Sequence, residues 1–177
     1  TDLIVYSFDG TDLTQLITGI MENSPPDSVG VVDTMGCALP QSIQYLVRKM
    51  KGLTNGLPVE VHTHNDFGMA VATELAGVAA GAEVVHSCVN GLGERTGNAA
   101  AEELMVSLKI LMGMDNAYKL DKVIELCTLV EEISGVSLAP NKPVAGKRNY
   151  TRESGIGVDM IMKRPLAMFA TDPQLFG

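Results

Sequence analysis

The sequence predicts an α/β protein made of four consecutive strand–helix units and a smaller region of mixed character after them. Three observations carry that expectation. Short β-branched runs recur at near-equal intervals, with Val5, Val31, Val61 and Val85 spaced 26, 30 and 24 residues apart. Each run leads through a loop into a segment whose apolar residues repeat at helical spacing. Every polar cluster follows a strand, where it would stand at the strand's C-terminal end. Units of this size read as parallel βαβ structure.

A first strand is expected over Leu3–Tyr6, then a helix with Leu13, Leu16, Ile17, Ile20 and Met21 on one stripe. A second strand, Val29–Val32, precedes a helix marked by Ile43, Leu46, Val47 and Met50. Pro40 suits its first turn, where the missing N–H costs nothing. A third strand, Val59–Val61, leads to the Ala-rich stretch Met69–Ala80. A fourth, Val84–Val85 continued to Val89, leads to a helix marked by Leu104, Leu108 and Leu111. A fifth helix is expected from Leu120 to Ile133, with Val123, Leu126, Cys127, Val130 and Ile133 on one face. After Gly135 the chain becomes loop-like, and Ala139–Arg148 is basic. The ten methionines fall mostly on helical faces and read as core packing. A boundary near Gly113–Asn116 follows, with four βα units over residues 1–114 and a helical and loop subdomain over 115–177. Four units are half of a (β/α)8 barrel, a fold of about 250 residues. An open doubly wound sheet is the rival, and both folds put their sites at the C-terminal strand ends. No glycine-rich phosphate loop follows the first strand, which counts against a nucleotide-binding sheet.

Composition narrows the function. The 177 residues are 46% hydrophobic and 19% charged, enough for a buried core. Lys+Arg 13 against Asp+Glu 21 gives a net charge of -8, which argues against a nucleic-acid partner. No run approaches the roughly 18 to 20 apolar residues of a membrane span. The first residues lack the basic region of a signal peptide, so a cytoplasmic protein is expected. The chain opens on Thr1 rather than Met, which suggests a fragment or a processed chain. Cys37, Cys88 and Cys127 are odd in number and far apart, and they read as free thiols of a reducing compartment.

Three clusters carry chemistry. In Val61-His62-Thr63-His64-Asn65-Asp66, side chains two apart on a strand share a face, so His62 and His64 present two imidazoles together. Such a pair can grip a divalent metal; alternatively it is a buried pair satisfied by carbonyls, with Asn65 or Asp66 capping the next helix. Asn90-Gly91-Leu92-Gly93-Glu94-Arg95-Thr96-Gly97-Asn98 crowds Glu94, Arg95 and Asn98 into a glycine-rich turn. The plain alternative there is a connection with Asn98 as helix N-cap. Val32-Asp33-Thr34-Met35-Gly36 offers either an Asx-type turn or a hydroxyl at the site's mouth. His86 stands alone within a strand and reads as structural.

In this order, DTMGCALP, HTHNDFGMAVA and NGLGERTGNAAAEE resemble the isopropylmalate and homocitrate synthase family. That family belongs to the metal-dependent TIM-barrel group that includes hydroxymethylglutaryl-CoA lyase. The likeness runs from about Val5 to Asn116, with an echo at Glu153-Ser154-Gly155-Ile156. It implies the C-terminal half of a TIM (β/α)8 barrel followed by a small mixed subdomain. It also implies a cytoplasmic homodimer that needs the N-terminal half of the barrel. The implied reaction condenses acetyl-CoA with a 2-oxo acid and then hydrolyses the thioester. By motif, His62, His64 and Asn98 would hold a divalent metal (Mg, Mn or Zn). Ser7 and Thr34 would bind substrate, and Asp9 and Glu94 would serve catalysis. The sequence departs from the family pattern in three places. The first-strand Asp and Arg have no counterpart; Ser7-Phe8-Asp9-Gly10 replaces the usual Ser-x-Glu-Asp; and Gly157 replaces the tail histidine. The loop Leu92-Gly93-Glu94-Arg95 lacks the cysteine that lyases carry there, which favours a synthase. A metal-dependent lyase or aldolase, or a non-catalytic barrel homologue, is the alternative.

Overall fold

Alternating burial defines the strands. In β1 (Val29–Asp33) and β2 (Val59–Thr63), buried residues alternate with half-buried ones, so each strand sends every second side chain to a packed face. A computed structural model describes residues 10–115 and 117–177. The expected strand Leu3–Tyr6 and the candidates Ser7 and Asp9 lie outside the described residues.

The chain runs through α1 (Gly10–Asn23), β1, α2 (Pro40–Leu53), β2, α3 (Ala70–Ala79), β3 (Val84–Val85) and α4 (Ala101–Ile110). It continues with α5 (Val123–Ser134) and α6 (Val158–Lys163). The strands form a parallel sheet in the order β1-β2-β3, with Val31 opposite Val61 and Val61 opposite Val85. Pro40 opens α2 as expected, and Asn65 Oδ1 accepts the N–H of Ala70 at the start of α3 (3.1 Å). Two compact units divide the chain, one ending at Leu104 and one starting at Met105, so the division falls within α4.

Val29, Val31, Val59 and Val61 meet Leu13 and Ile17 of α1 and Ile43, Val47 and Met50 of α2 in one buried cluster. Burying each such side chain stabilises the fold by about 1.5 to 3 kcal/mol. Helix α3 joins the same face, where a Cβ on Gly77 would lie 2.8 Å from Val61 Cγ2. The other face carries Gly30, Val32, Glu60 and His62, all half-buried.

Three expectations are corrected. The fourth strand does not reach Val89, because Val89–Gly91 form a 3-10 turn with Asn90 at φ 62. The buried carboxylate of Glu102 accepts the Asn90 N–H (2.9 Å) in that turn. The expected face of α5 is buried only at Val123 and Cys127, while Ile133 is 76% exposed. Its sequence neighbour, the turn Leu120–Lys122, covers only the start of the helix. Of the ten methionines only Met50 is buried. Met35 stands in the loop after β1, and Met160 and Met162 lie on α6, which buries no residue.

Glu74 of α3 is wholly buried. Its Oε1 accepts from Thr63 N (2.9 Å) and Thr63 Oγ1 (3.1 Å), while Oε2 has no hydrogen-bond partner among the described residues. Burial pushes its pKa up to about 8, outweighing the Thr63 hydrogen bonds that lower it. The folded chain therefore keeps this proton where the unfolded chain, ionising near 4.5, has lost it. The resulting stability is fully present below the unfolded value and fades as pH rises through the folded one, by at most about 1.4 kcal/mol per pH unit. Glu74→Gln should flatten this decline, as read from denaturation midpoints between pH ~5 and ~8. Equal slopes in variant and wild type would remove Glu74 from the account.

Candidate functional site

The half-buried face of β2 ends in chemistry. His62 lies on it two residues after Glu60, and His64 follows just beyond the strand. The two rings stand edge to face, with centroids 5.0 Å apart at 89°. His64 Nδ1 lies 3.3 Å from the carbonyl oxygen of Asp33. A carbonyl only accepts, so Nδ1 carries a proton, and in the neutral ring Nε2 keeps its lone pair for a ligand. Burial, followed by the neighbouring His64 and His86, lowers the pKa of His62 and favours its neutral, metal-binding form.

The glycine-rich loop after β3 delivers an amide to the same strand end. Asn98 forms an antiparallel bridge with His64, and Asn65 N–H donates to Gly97 O (2.9 Å). Asn98 Nδ2 donates to Leu92 O (2.9 Å) and to Cys88 Sγ (3.5 Å). That choice orients the amide and leaves Oδ1 buried without a hydrogen-bond partner among the described residues. Gly93 leaves room for this amide, since a Cβ there would sit 2.1 Å from Asn98 Nδ2. A buried acceptor without a donor is costly unless a ligand satisfies it. Two imidazole nitrogens and an amide oxygen fit a divalent cation of the Mg, Mn or Zn type. Among the described residues no group of three His, Cys, Asp or Glu could hold a metal, so the amide is needed to complete a set.

The third wall is the turn after β1. Asp33 accepts the N–H groups of Cys37 (3.1 Å) and Ala38 (2.9 Å), the turn expected from an Asx residue. Thr34 follows it, half-buried, on the strand end next to His62 and His64. Thr34, His62, His64 and Asn98 thus lie on adjacent strand ends. Glu94 lies in the same loop as Asn98, with a side chain 80% exposed and 3.5 Å from Arg95 Nη1. Ser7 and Asp9 lie outside the described residues.

Sequence reasoning missed several neighbours. His86, expected to stand alone, puts its ring 5.4 Å from that of His62, and its Nε2 lies 3.0 Å from Glu60 Oε2. The strand period that pairs His62 with His64 equally selects Glu60. The ion pair between Arg95 and Asp66 had no local signal, because it joins two loops.

Residues 6–130 match the model of the HMGL-like family. The chain is 41% identical over 156 residues to a homocitrate synthase of Methanocaldococcus jannaschii, covering 88% of this chain and 38% of the relative. It is 38% identical over 173 residues to a probable 2-isopropylmalate synthase of Ignicoccus hospitalis, covering 96% and 43%. An HMG-CoA lyase of Acinetobacter baumannii, solved with coenzyme A and 3-methylmalate, shares the fold at TM-score 0.67 and 22% identity. That match covers 82% of this chain and 49% of the lyase. The chain spans about two fifths of the length of these curated relatives.

The Asp33 contact makes a direct prediction. Long-range nitrogen–proton spectra should show His64 as the Nδ1–H tautomer at neutral pH. Protonation at Nε2 alone would contradict the assigned hydrogen bond.

Proposed function

The chain belongs to the HMGL-like family, and on that premise we propose that it forms the second half of a TIM-barrel acyltransferase. The reaction condenses acetyl-CoA with a 2-oxo acid to a 2-alkylmalate-type product. The observation that carries this reading is the edge-to-face pair of His62 and His64 at one strand end, with Asn98, whose Oδ1 is orphaned, bridged to His64. The relatives, named as homocitrate, 2-isopropylmalate and citramalate synthases, support it.

In this reading His62, His64 and Asn98 hold the divalent metal, together with an oxygen ligand from the first barrel strand. When bound, the ion supplies Lewis acidity that polarises the keto group of the 2-oxo acid. Thr34 and Ser7 bind and orient the oxo acid at the strand ends. The acetyl methyl must lose a proton before it attacks, and a positioned base typically contributes ~10² to 10⁴-fold. Asp9 and Glu94 are proposed for the proton transfers. The new bond joins the methyl carbon to the keto carbon, and hydrolysis of the thioester then frees CoA. Gly157, where the family pattern has histidine, holds a left-handed backbone at φ 81 ahead of α6. A side chain there is strained, so the proton transfers are assigned without a tail imidazole. Dimerisation through the C-terminal region belongs to the same reading.

The complete protein, given acetyl-CoA and a panel of 2-oxo acids, should release free thiol only when a suitable oxo acid is present. His62→Ala should lower metal affinity more than about tenfold and abolish thiol release. Cleavage of a hydroxyacyl-CoA without any oxo acid would instead establish a lyase. Full metal content in the His62→Ala/His64→Ala variant would remove the metal site.

A further inference from the structure

Arg95 is tied to all three strand-end loops of the candidate site. It sits in the loop after β3, and its Nε and Nη2 donate to Asp66 Oδ1 (2.8 Å) and Oδ2 (3.0 Å) in the loop after β2. The same Nη2 donates to the backbone oxygen of Thr34 (2.7 Å) in the loop after β1. Each loop carries one member of the site: Thr34 on the first, His64 on the second and Asn98 on the third. The arrangement is packed as well as bonded. Gly36, at φ +61, lies so close to the second loop that a Cβ there would stand 2.6 Å from Asp66 Oδ2 and 2.9 Å from His64 O. Arg95 itself has a left-handed backbone, φ 55, an uncommon state for a residue with a side chain.

An exposed ion pair is a weak source of stability, in general about 0 to 1 kcal/mol. The Arg95 side chain is 39% exposed, so stability does not explain this geometry. What the fork provides is direction: two parallel bonds to one carboxylate fix its plane, and a third bond carries that plane to a carbonyl.

We propose that Arg95 is a positioning residue that locks the Thr34 loop against the metal-binding strand end and thereby sets the carboxylate-binding position for the 2-oxo acid. The proposal rests on the function proposed above for Thr34. Arg95 acts through the Thr34 backbone, so the change expected on its loss is in substrate placement. Lysine cannot replace it, because a point charge cannot meet both carboxylate oxygens and the Thr34 carbonyl at once.

The test uses the complete protein with its metal and compares Arg95→Lys, Arg95→Ala and Thr34→Ala. In Arg95→Lys the KM for the 2-oxo acid should rise about tenfold or more, with a smaller change in kcat. Amide hydrogen exchange over residues 33–38 should quicken while the rest of the fold keeps its protection. Methylguanidinium should restore the KM of Arg95→Ala, and ethylammonium should not. An unchanged oxo-acid KM in both Arg95 variants, or rescue by either cation equally, overturns the proposal. Unchanged exchange over residues 33–38 overturns it as well. A raised KM in the Arg95 variants without one in Thr34→Ala supports the clamp and refutes the role given to Thr34. The reverse pattern keeps the function of Thr34 and discards the clamp.

Discussion

Strand β2 must satisfy two demands at once, and its two-residue period is what lets it. Val59, Val61 and Thr63 turn to the helices and are buried, while Glu60 and His62 turn the other way. A shift of one residue in register would send the imidazole into the packed layer and a valine to the open face. Pairing with β1, residue by residue from Val29 opposite Val59 to Asp33 opposite Thr63, holds that register. His62 and His64 stand at this strand's end, and the loops carrying Thr34 and Asn98 lie on either side of it.

Thr63 shows how closely the two demands meet. It lies between the two imidazoles, yet its own N–H and hydroxyl point into the helical layer and bond Glu74. A carboxyl in such a place is tolerated because burial keeps it protonated, so no charge is buried at neutral pH. The helical layer therefore anchors the backbone of the His-x-His segment from behind. From in front, the Asp33 carbonyl fixes the His64 ring and the Leu92 carbonyl fixes the Asn98 amide. Contacts of this kind fix ring and amide orientation, which is what the metal site proposed for these residues would require.

The loops owe their shapes to polar capture rather than to apolar packing. Asp33 takes two backbone N–H groups of the turn after β1, Asn65 takes the first N–H of α3, and Glu102 takes that of Asn90. Each capture uses a residue type that reads as an ordinary cap or turn former in isolation. The plain reading of these residues as caps and turn formers is therefore compatible with the role proposed for their neighbours.

Much of this was legible in the amino-acid sequence alone. The recurrence of valine-rich runs and apolar stripes is a local periodicity, and it placed α1 to α4 and β1 to β3 within a few residues. The pairing of His62 with His64 was legible for the same reason, since it needs only the strand period. What the sequence could not show depends on register between units. Asn98 meets His64 because two strand ends lie side by side. Arg95 reaches Thr34 across 61 residues and Asp66 across 29. The 3-10 turn that follows β3 is bonded by a carboxylate on α4, and the protonation of Glu74 follows from its burial. Residue types and spacings specify what each segment prefers, whereas desolvation and orphaned polar atoms exist only once separate segments close around them.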